Sequence, residues 1–304
     1  MNSFPLSSLC VKSRKGHSKT APPCNAKYPS HKHDVILYLV AINNACDTQV
    51  LSRLFKCRNH KRKTLKASKP QLTVIIATYN RSSVLIDTVK SVLEQDFAHY
   101  ELLVLDQTDP PSTEVMSYFD SLADSRVRYF TVRPPALTAV RNLGIKLSRA
   151  KLLLFLDDDV LLDAGYLQAA VAAFSDPGVA ALAGRIKNWA PGERPLEFKF
   201  GGVITGTWNV AQDQDCTSVQ GCGMAFRKSV LEEIGGFDVR LLWYRDDTDI
   251  GMRVAKRGRI RYVAAMSLEH LVHPSGGVRD YGCVYDNPVF YECDMTLFRK
   301  HWPL

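Results

Sequence analysis

Between Gln71 and Ile186 the chain alternates short apolar runs with segments whose apolar residues recur at helical spacing. No other feature narrows the fold as much. Leu72–Ala77 (LTVIIA), Tyr100–Leu105 (YELLVL), Val127–Val132, Lys151–Leu156 (KLLLFL) and Val179–Ile186 are short and apolar and read as strands. Helices are expected between them. One starts at Ser82 or Ser83 and carries Val84, Leu85, Thr88, Val89, Val92 and Leu93 on one stripe. Others run over Ser112–Leu122, from Ala136 to Arg149, and over Ala164–Phe174, the last capped by Asp163. Strands alternating with helices imply βαβ units with right-handed crossovers. The expected fold class is therefore α/β, a Rossmann-like, mostly parallel sheet with helices on both faces.

In such a sheet the ligand crevice lies outside the carboxyl ends of the strands. The residues there are Thr78-Tyr79-Asn80-Arg81, Asp106-Gln107-Thr108-Asp109 and Asp157-Asp158-Asp159. Three consecutive carboxylates after a buried strand repel one another unless a cation sits among them. A hard divalent ion that also bridges to substrate phosphates resolves the repulsion. Asp106 adds a carboxylate to the same rim. The alternative is a solvated acidic loop that caps the next helix. The chain has no GxGxxG after its first strand, no GxxxxGK[ST] and no GxSxG. Dinucleotide, P-loop and serine-elbow chemistry are thereby set aside in favour of metal-assisted handling of a phosphorylated ligand.

Charge is divided along the chain. Residues 1–70 hold 14 Lys/Arg against Asp34 and Asp47, whereas the remainder holds 25 basic and 29 acidic residues, so the two parts carry +12 and −4. Residues 1–70 are expected to be a basic, disordered leader and residues 71–304 the folded domain. The run Lys56, Arg58, Lys61, Arg62, Lys63, Lys66, Lys69 can attract nucleic acid or anionic lipid headgroups by charge alone, or simply remain a solvated extension. No specific nucleic acid is expected. No apolar run approaches the roughly 18–20 residues of a membrane span, and no secretory signal is apparent. Eight Cys occur without CxxC pairs, which suggests reduced thiols. The expected location is cytoplasmic, with peripheral contact at the cytoplasmic face of the membrane through the leader.

An ordered series of motifs resembles the family 2 glycosyltransferases, which have a GT-A fold. It comprises VIIATYNRSSVL, SVLEQDF, YELLVLDQTD, AVRNLGI, FLDDDVLLD, GCGMAFRKSVLEEIGGFD and RDDTDIGMR, and spans about Leu72 to Pro303. The resemblance implies inverting transfer from a nucleotide-diphosphate sugar to a saccharide or lipid-linked acceptor, in surface or cell-wall polysaccharide or glycolipid synthesis. It places Ala77 and Tyr79 near the nucleotide and makes Asp106 the acceptor of a hydrogen bond from the base. Asp-Gln-Thr-Asp stands here where the family usually has Asp-Asp-Gly-Ser. Arg141 can reach the nucleotide or be a surface arginine. The DxD-type motif falls on Asp157-Asp158-Asp159, with Asp159 as metal ligand and Asp158 as ribose or metal contact.

Downstream, Asp246-Asp247 stands where the family has a Glu-Asp pair. The resemblance makes Asp247 the catalytic base, with Asp246 as the rival and a helix N-cap as the non-chemical reading. A late His before Pro-Ser-Gly-Gly selects His270 as a metal ligand, with His273 in reserve. An imidazole among carboxylates favours Mn²⁺ over Mg²⁺. Glycines in GGFD are expected to close the Lys228–Ile234 helix. Trp189 and Trp208 can stack on a sugar or pack as core. Two other functions fit the same fold or charge pattern: a sugar nucleotidyltransferase, which would want a Gly-rich basic loop after the first strand, and a non-catalytic basic-tailed adaptor.

Overall fold

The computed structural model describes residues 55–58, 69–133, 135–198, 204–272 and 288–302. In chain order the first elements are β1 (Phe55–Arg58), β2 (Leu72–Thr78), α1 (Ser83–Leu93), β3 (Tyr100–Asp106), α2 (Thr113–Ser121), β4 (Val127–Val132), α3 (Leu137–Leu147) and β5 (Leu152–Leu156). Then come β6 (Val160–Leu162), α4 (Tyr166–Ala173), β7 (Val179–Ile186) and the two-residue strands β8 (Pro191–Gly192), β9 (Glu197–Phe198), β10 (Ile204–Thr205) and β11 (Asn209–Val210). The chain continues through β12 (Gln214–Cys216), β13 (Gly223–Arg227), α5 (Lys228–Glu233), α6 (Asp246–Val254), β14 (Arg259–His270) and α7 (Pro288–His301).

Ten strands form one sheet, ordered β1-β4-β3-β2-β5-β13-β7-β14-β12, with β6 also paired to β14. Strand residues alternate between two cores. Leu72, Val74 and Ile76 of β2 pack with Leu85, Val89 and Val92 of α1 and Leu167 of α4 on one face. Ile75, Leu103 and Phe155 pack with Val140 and Leu143 of α3 and Ile250 of α6 on the other. This period of two is what an internal strand covered by helices on both faces requires.

Parallel pairing runs from β4 through β3 and β2 to β5, as expected. Beyond β5 the sheet is mixed: β13 is antiparallel to β5 and β7, and β14 is parallel to β7. The cause is the stretch between β7 and β13. Its described residues carry short strands in place of a crossover helix, so the chain re-enters the sheet from the opposite end. Asp163 does not cap α4. Gly165, with φ +83°, stands at that N-cap, while the Asp163 carboxylate pairs with Lys187 and accepts the Ser267 hydroxyl at 2.7 Å. The glycines of GGFD do close α5, with φ of +77° at Gly235 and +70° at Gly236. Cys216, Cys222 and Cys293 are free thiols.

β1 lies inside the segment expected to be leader. Its backbone pairs antiparallel with β4, Phe55 opposite Val132 and Arg58 opposite Tyr129, at the outer edge of the sheet. The leader expectation for 1–54 and 59–68 falls outside the described residues. Deleting residues 1–68 is expected to leave a domain that melts cooperatively, because the two large core clusters of the described residues draw their members from Leu72 onward. It should also bare the β4 edge and promote self-association, which sedimentation velocity would register. Loss of cooperative melting would show that the leader is part of the fold.

Candidate functional site

The chain moves outward from β2 to β3 to β4, then returns to the other side of β2 with β5. In an open sheet such a reversal is where a ligand crevice is expected, at the carboxyl ends of β2, β3 and β5. The loops there are zipped together. Gln107 N–H donates to Thr78 O at 2.9 Å, and Asn80 N–H donates to Thr108 Oγ1 at 2.8 Å. Gln107 Oε1 also accepts Ala136 N–H at 2.7 Å, tying the β3 end to the start of α3. This is what the Asp-Gln-Thr-Asp departure accomplishes structurally. Asp106 is buried at the end of β3, where it accepts Thr108 N–H at 2.8 Å and the Tyr129 hydroxyl at 2.6 Å. Ala77 packs against the core from the penultimate position of β2, and the Tyr79 ring lies 6.3 Å from that of Trp243.

β6 follows directly on Asp157-Asp158-Asp159 and pairs antiparallel with the end of β14, setting Val160 opposite His270. Leu271 N–H donates to Asp159 O at 2.9 Å, extending the contact. The ladder brings His270 Nε2 to 3.2 Å from Asp159 Oδ1. Asp157, Asp159 and His270 each offer a ligand atom within 4.8 Å of the other two. The expected pair Asp159 and His270 thus meet, and the third member is Asp157 rather than Asp158. Two carboxylate oxygens and one imidazole nitrogen suit a divalent ion of Mn²⁺ or Mg²⁺ type. Asp158 is buried and faces Arg81, whose Nε is 3.2 Å from Asp158 Oδ1 and whose Nη2 is 3.3 Å from Asp159 Oδ2. Burial pushes the Asp158 carboxyl up to about 7, with Arg81 opposing the rise and Asp159 adding to it. His273 lies outside the described residues.

Arg141 is not a surface arginine. It is 3% exposed, pairs with Asp246, donates to Asp157 Oδ1 at 3.1 Å and Gly221 O at 3.2 Å, and lies 5.6 Å from the centre of the Phe237 ring. Burial works against its charge, but Asp246, Asp157 and Asp247 outweigh that and hold its pKa above the ordinary arginine value. Asn142, next on α3, exchanges two bonds with the Phe237 backbone (2.9 and 2.8 Å) and so docks the GGFD turn beside Arg141. Arg141 therefore links the Asp triplet to the start of α6.

Asp246 and Asp247 occupy the first turn of α6 and do different things. Asp246 is buried on Arg141. Asp247 is half-buried, accepting Gly221 N–H at 3.2 Å and Thr248 N–H at 2.7 Å. The residue before them, Arg245, has φ +64°, an uncommon conformation for a non-glycine. α7 supplies what holds it, since Arg245 Nε donates to Asp294 Oδ1 at 2.6 Å. At the other end of the clasp, Lys300 and His301 meet the fully buried Asp249 of α6 at 2.7 and 2.8 Å. Burial opposes the charge on Asp249, but Arg253, Lys300 and His301 prevail and keep its pKa below the usual carboxylate range.

Trp208 is core, stacked on Tyr262 at 6.5 Å. Trp189 is exposed, and its neighbour Asn188 bonds the His270 backbone at 2.8 and 3.1 Å. Sequence reasoning gave no role to Arg81 or to the Gly221 N–H, and named Asp157 only as one of the three rim acids. Arg81 carried a usable signal, a cation on the same strand-end rim as the three acids.

Residues 73–235 match the family described as glycosyl transferase family 2. An uncharacterized glycosyltransferase of Rickettsia felis is 39% identical over 93 residues, 30% of this chain and 15% of that protein. The O-antigen biosynthesis protein RfbC of Myxococcus xanthus is 24% identical over 235 residues, covering 69% of this chain and 18% of that one. The crystal structure of GalNAc-T7 with UDP, GalNAc and Mn²⁺ superposes with a TM-score of 0.59 at 16% identity, over 66% of this chain and 44% of that chain. The chain spans less than half the length of each of these three.

Proposed function

Because the chain belongs to glycosyl transferase family 2, we propose that it transfers a sugar, with inversion, from a nucleotide-diphosphate sugar to an acceptor hydroxyl. The acceptor would be a saccharide or lipid-linked saccharide in the synthesis of a surface polysaccharide, a reading supported by the likeness to RfbC. The observation that carries the proposal is the meeting of a metal-capable cluster with Asp247, an acid that, among the described residues, makes no direct ion pair with an arginine. Asp157, Asp159 and His270 form the cluster. Arg141 reaches from Asp157 to Asp246, while Asp247 is held by the Gly221 and Thr248 N–H groups and the Thr248 hydroxyl.

Asp247 would take the proton of the acceptor hydroxyl. The oxygen then attacks the anomeric carbon in line, and the nucleoside diphosphate departs from the opposite face. No covalent intermediate is needed. Asp246 is unsuited to the same role because its carboxylate is buried and already engaged by the Arg141 guanidinium. Asp106 would accept from the base, and Tyr79 and Ala77 would border the nucleotide. A divalent ion held by Asp159, His270 and Asp157 would neutralise charge on the leaving diphosphate. No helix among the described residues is long and apolar enough to cross a membrane. The +12 charge of residues 1–70 supports contact with an anionic membrane surface.

The test is calorimetry with UDP, GDP, ADP, CDP and dTDP, each with and without Mn²⁺ or Mg²⁺. One of them should bind far more tightly with metal, and Asp159→Ala should abolish that gain. Equal affinity with and without metal across the panel would overturn the reading.

A further inference from the structure

Arg81 has no part in the mechanism above, yet its guanidinium lies across two of the three donor-site acids. Its side chain is 8% exposed, with Nε 3.2 Å from Asp158 Oδ1 and Nη2 3.3 Å from Asp159 Oδ2. The loop that carries it is fixed, because Asn80 (φ +54°) donates its N–H to Thr108 Oγ1 at 2.8 Å. Asp159 is thus shared: Oδ2 faces Arg81, and Oδ1 faces His270 within the metal-capable cluster. The third acid, Asp157, is taken up by Arg141.

We propose that Arg81 is a built-in counter-cation. It keeps divalent metal weakly bound while the donor site is empty, and turns into an attractive partner for the diphosphate once a nucleotide arrives. This rests on the metal-dependent donor site proposed above. A guanidinium keeps its proton at any working pH, so its charge remains when an ion enters beside it. A divalent ion on Asp157, Asp159 and His270 would then sit next to a fixed positive charge in a largely buried setting, where like charges are poorly screened. A diphosphate reverses the sign. It brings negative charge to both cations and phosphate oxygens that match the guanidinium fork. Metal and nucleotide should therefore each tighten the binding of the other, by the same factor. The rival account makes Arg81 a structural tether that holds Asp158 and Asp159 in place.

Mn²⁺ binding to the full chain, read by calorimetry and by the free-ion electron paramagnetic resonance signal, separates the two. Arg81→Met removes the charge and keeps the length, and Arg81→Lys keeps the charge. Without nucleotide, Arg81→Met should bind Mn²⁺ about tenfold more tightly than wild type. The extra Mn²⁺ affinity gained on adding the preferred nucleoside diphosphate should shrink by about the same factor. Arg81→Lys should stay near wild type in both. If Arg81→Met binds Mn²⁺ no more tightly, or more weakly, while melting cooperatively, Arg81 is a tether and the proposal is wrong. Arg81→Gln serves in its place if the Met variant does not fold. If wild type and variants alike ignore Mn²⁺ with every nucleotide, the metal-dependent donor site itself has failed.

Discussion

Asp247→Asn is expected to slow sugar transfer about 10²–10⁴-fold, the usual worth of a positioned general base. Donor affinity should hardly change. The variant preserves shape, and its single amide oxygen can still accept the Thr248 N–H that Asp247 Oδ1 accepts now, while the Gly221 N–H loses its carboxylate acceptor Oδ2. What disappears is the ability to take a proton. If Asp247 merely satisfied the free N–H groups of α6, Asn would serve nearly as well, and activity and melting temperature would both stay near wild type. Initial-rate kinetics and a thermal melt on one variant therefore distinguish the two roles. Asp246→Asn is the companion measurement. Its carboxylate is buried on Arg141, so its loss should appear chiefly in stability. Turnover abolished by Asp246→Asn alone, with Asp247→Asn active, would transfer the role to Asp246.

Arg141→Met is expected to destabilise the protein by about 3–5 kcal/mol, the cost of removing one partner of a buried ion pair. The substitution leaves Asp246 in a site where it is 3% exposed but without its guanidinium. It also strips a donor from Asp157 and from Gly221 O. The penalty belongs to the stranded charge more than to the lost contact. Adding Asp246→Asn to the Arg141→Met background should therefore recover part of the stability, and a double-mutant cycle by urea unfolding would measure the coupling. Additive effects would mean that Arg141 and Asp246 do not depend on one another, and that the link between the Asp triplet and α6 is not energetic.

The elements of the βα half were legible because the signals that make them are local. Alternation in LTVIIA divides Val74 and Ile76 from Ile75 between two faces whatever lies above or below. A 3.6-residue stripe on α1 or α3 selects a buried side in the same way. The rim acids Asp106 and Asp157–Asp159 were legible for a related reason: the end of a strand in such a sheet is also the edge of its crevice. Antiparallel entry of β13 was not. The direction in which a strand enters depends on the length and path of the preceding excursion, which leaves no periodicity to read. β1 was hidden by the charge of its surroundings. What it completes is the open edge of β4, more than 60 residues downstream.

The sequence by itself determined which residue types are present at the strand ends and which stretches can be strand or helix, since both follow from composition and period over a few residues. It contained Asp157, Asp158 and Asp159 as an undivided set, Asp246 and Asp247 as near equals, Trp189 and Trp208 as alternatives, and Arg141 as an unplaced cation. Tertiary structure divided each of these. The β6–β14 ladder, through its register, put His270 beside Asp159 and Asp157 while Asp158 turned to Arg81. Arg141 neutralised Asp246 and left Asp247 to the Gly221 and Thr248 donors, and Tyr262 drew Trp208 into the core. The physical reason is the same each time. Side-chain direction in a loop or a first helical turn is set by whichever partner is brought within about 3 Å, and those partners come from chain segments far away in sequence.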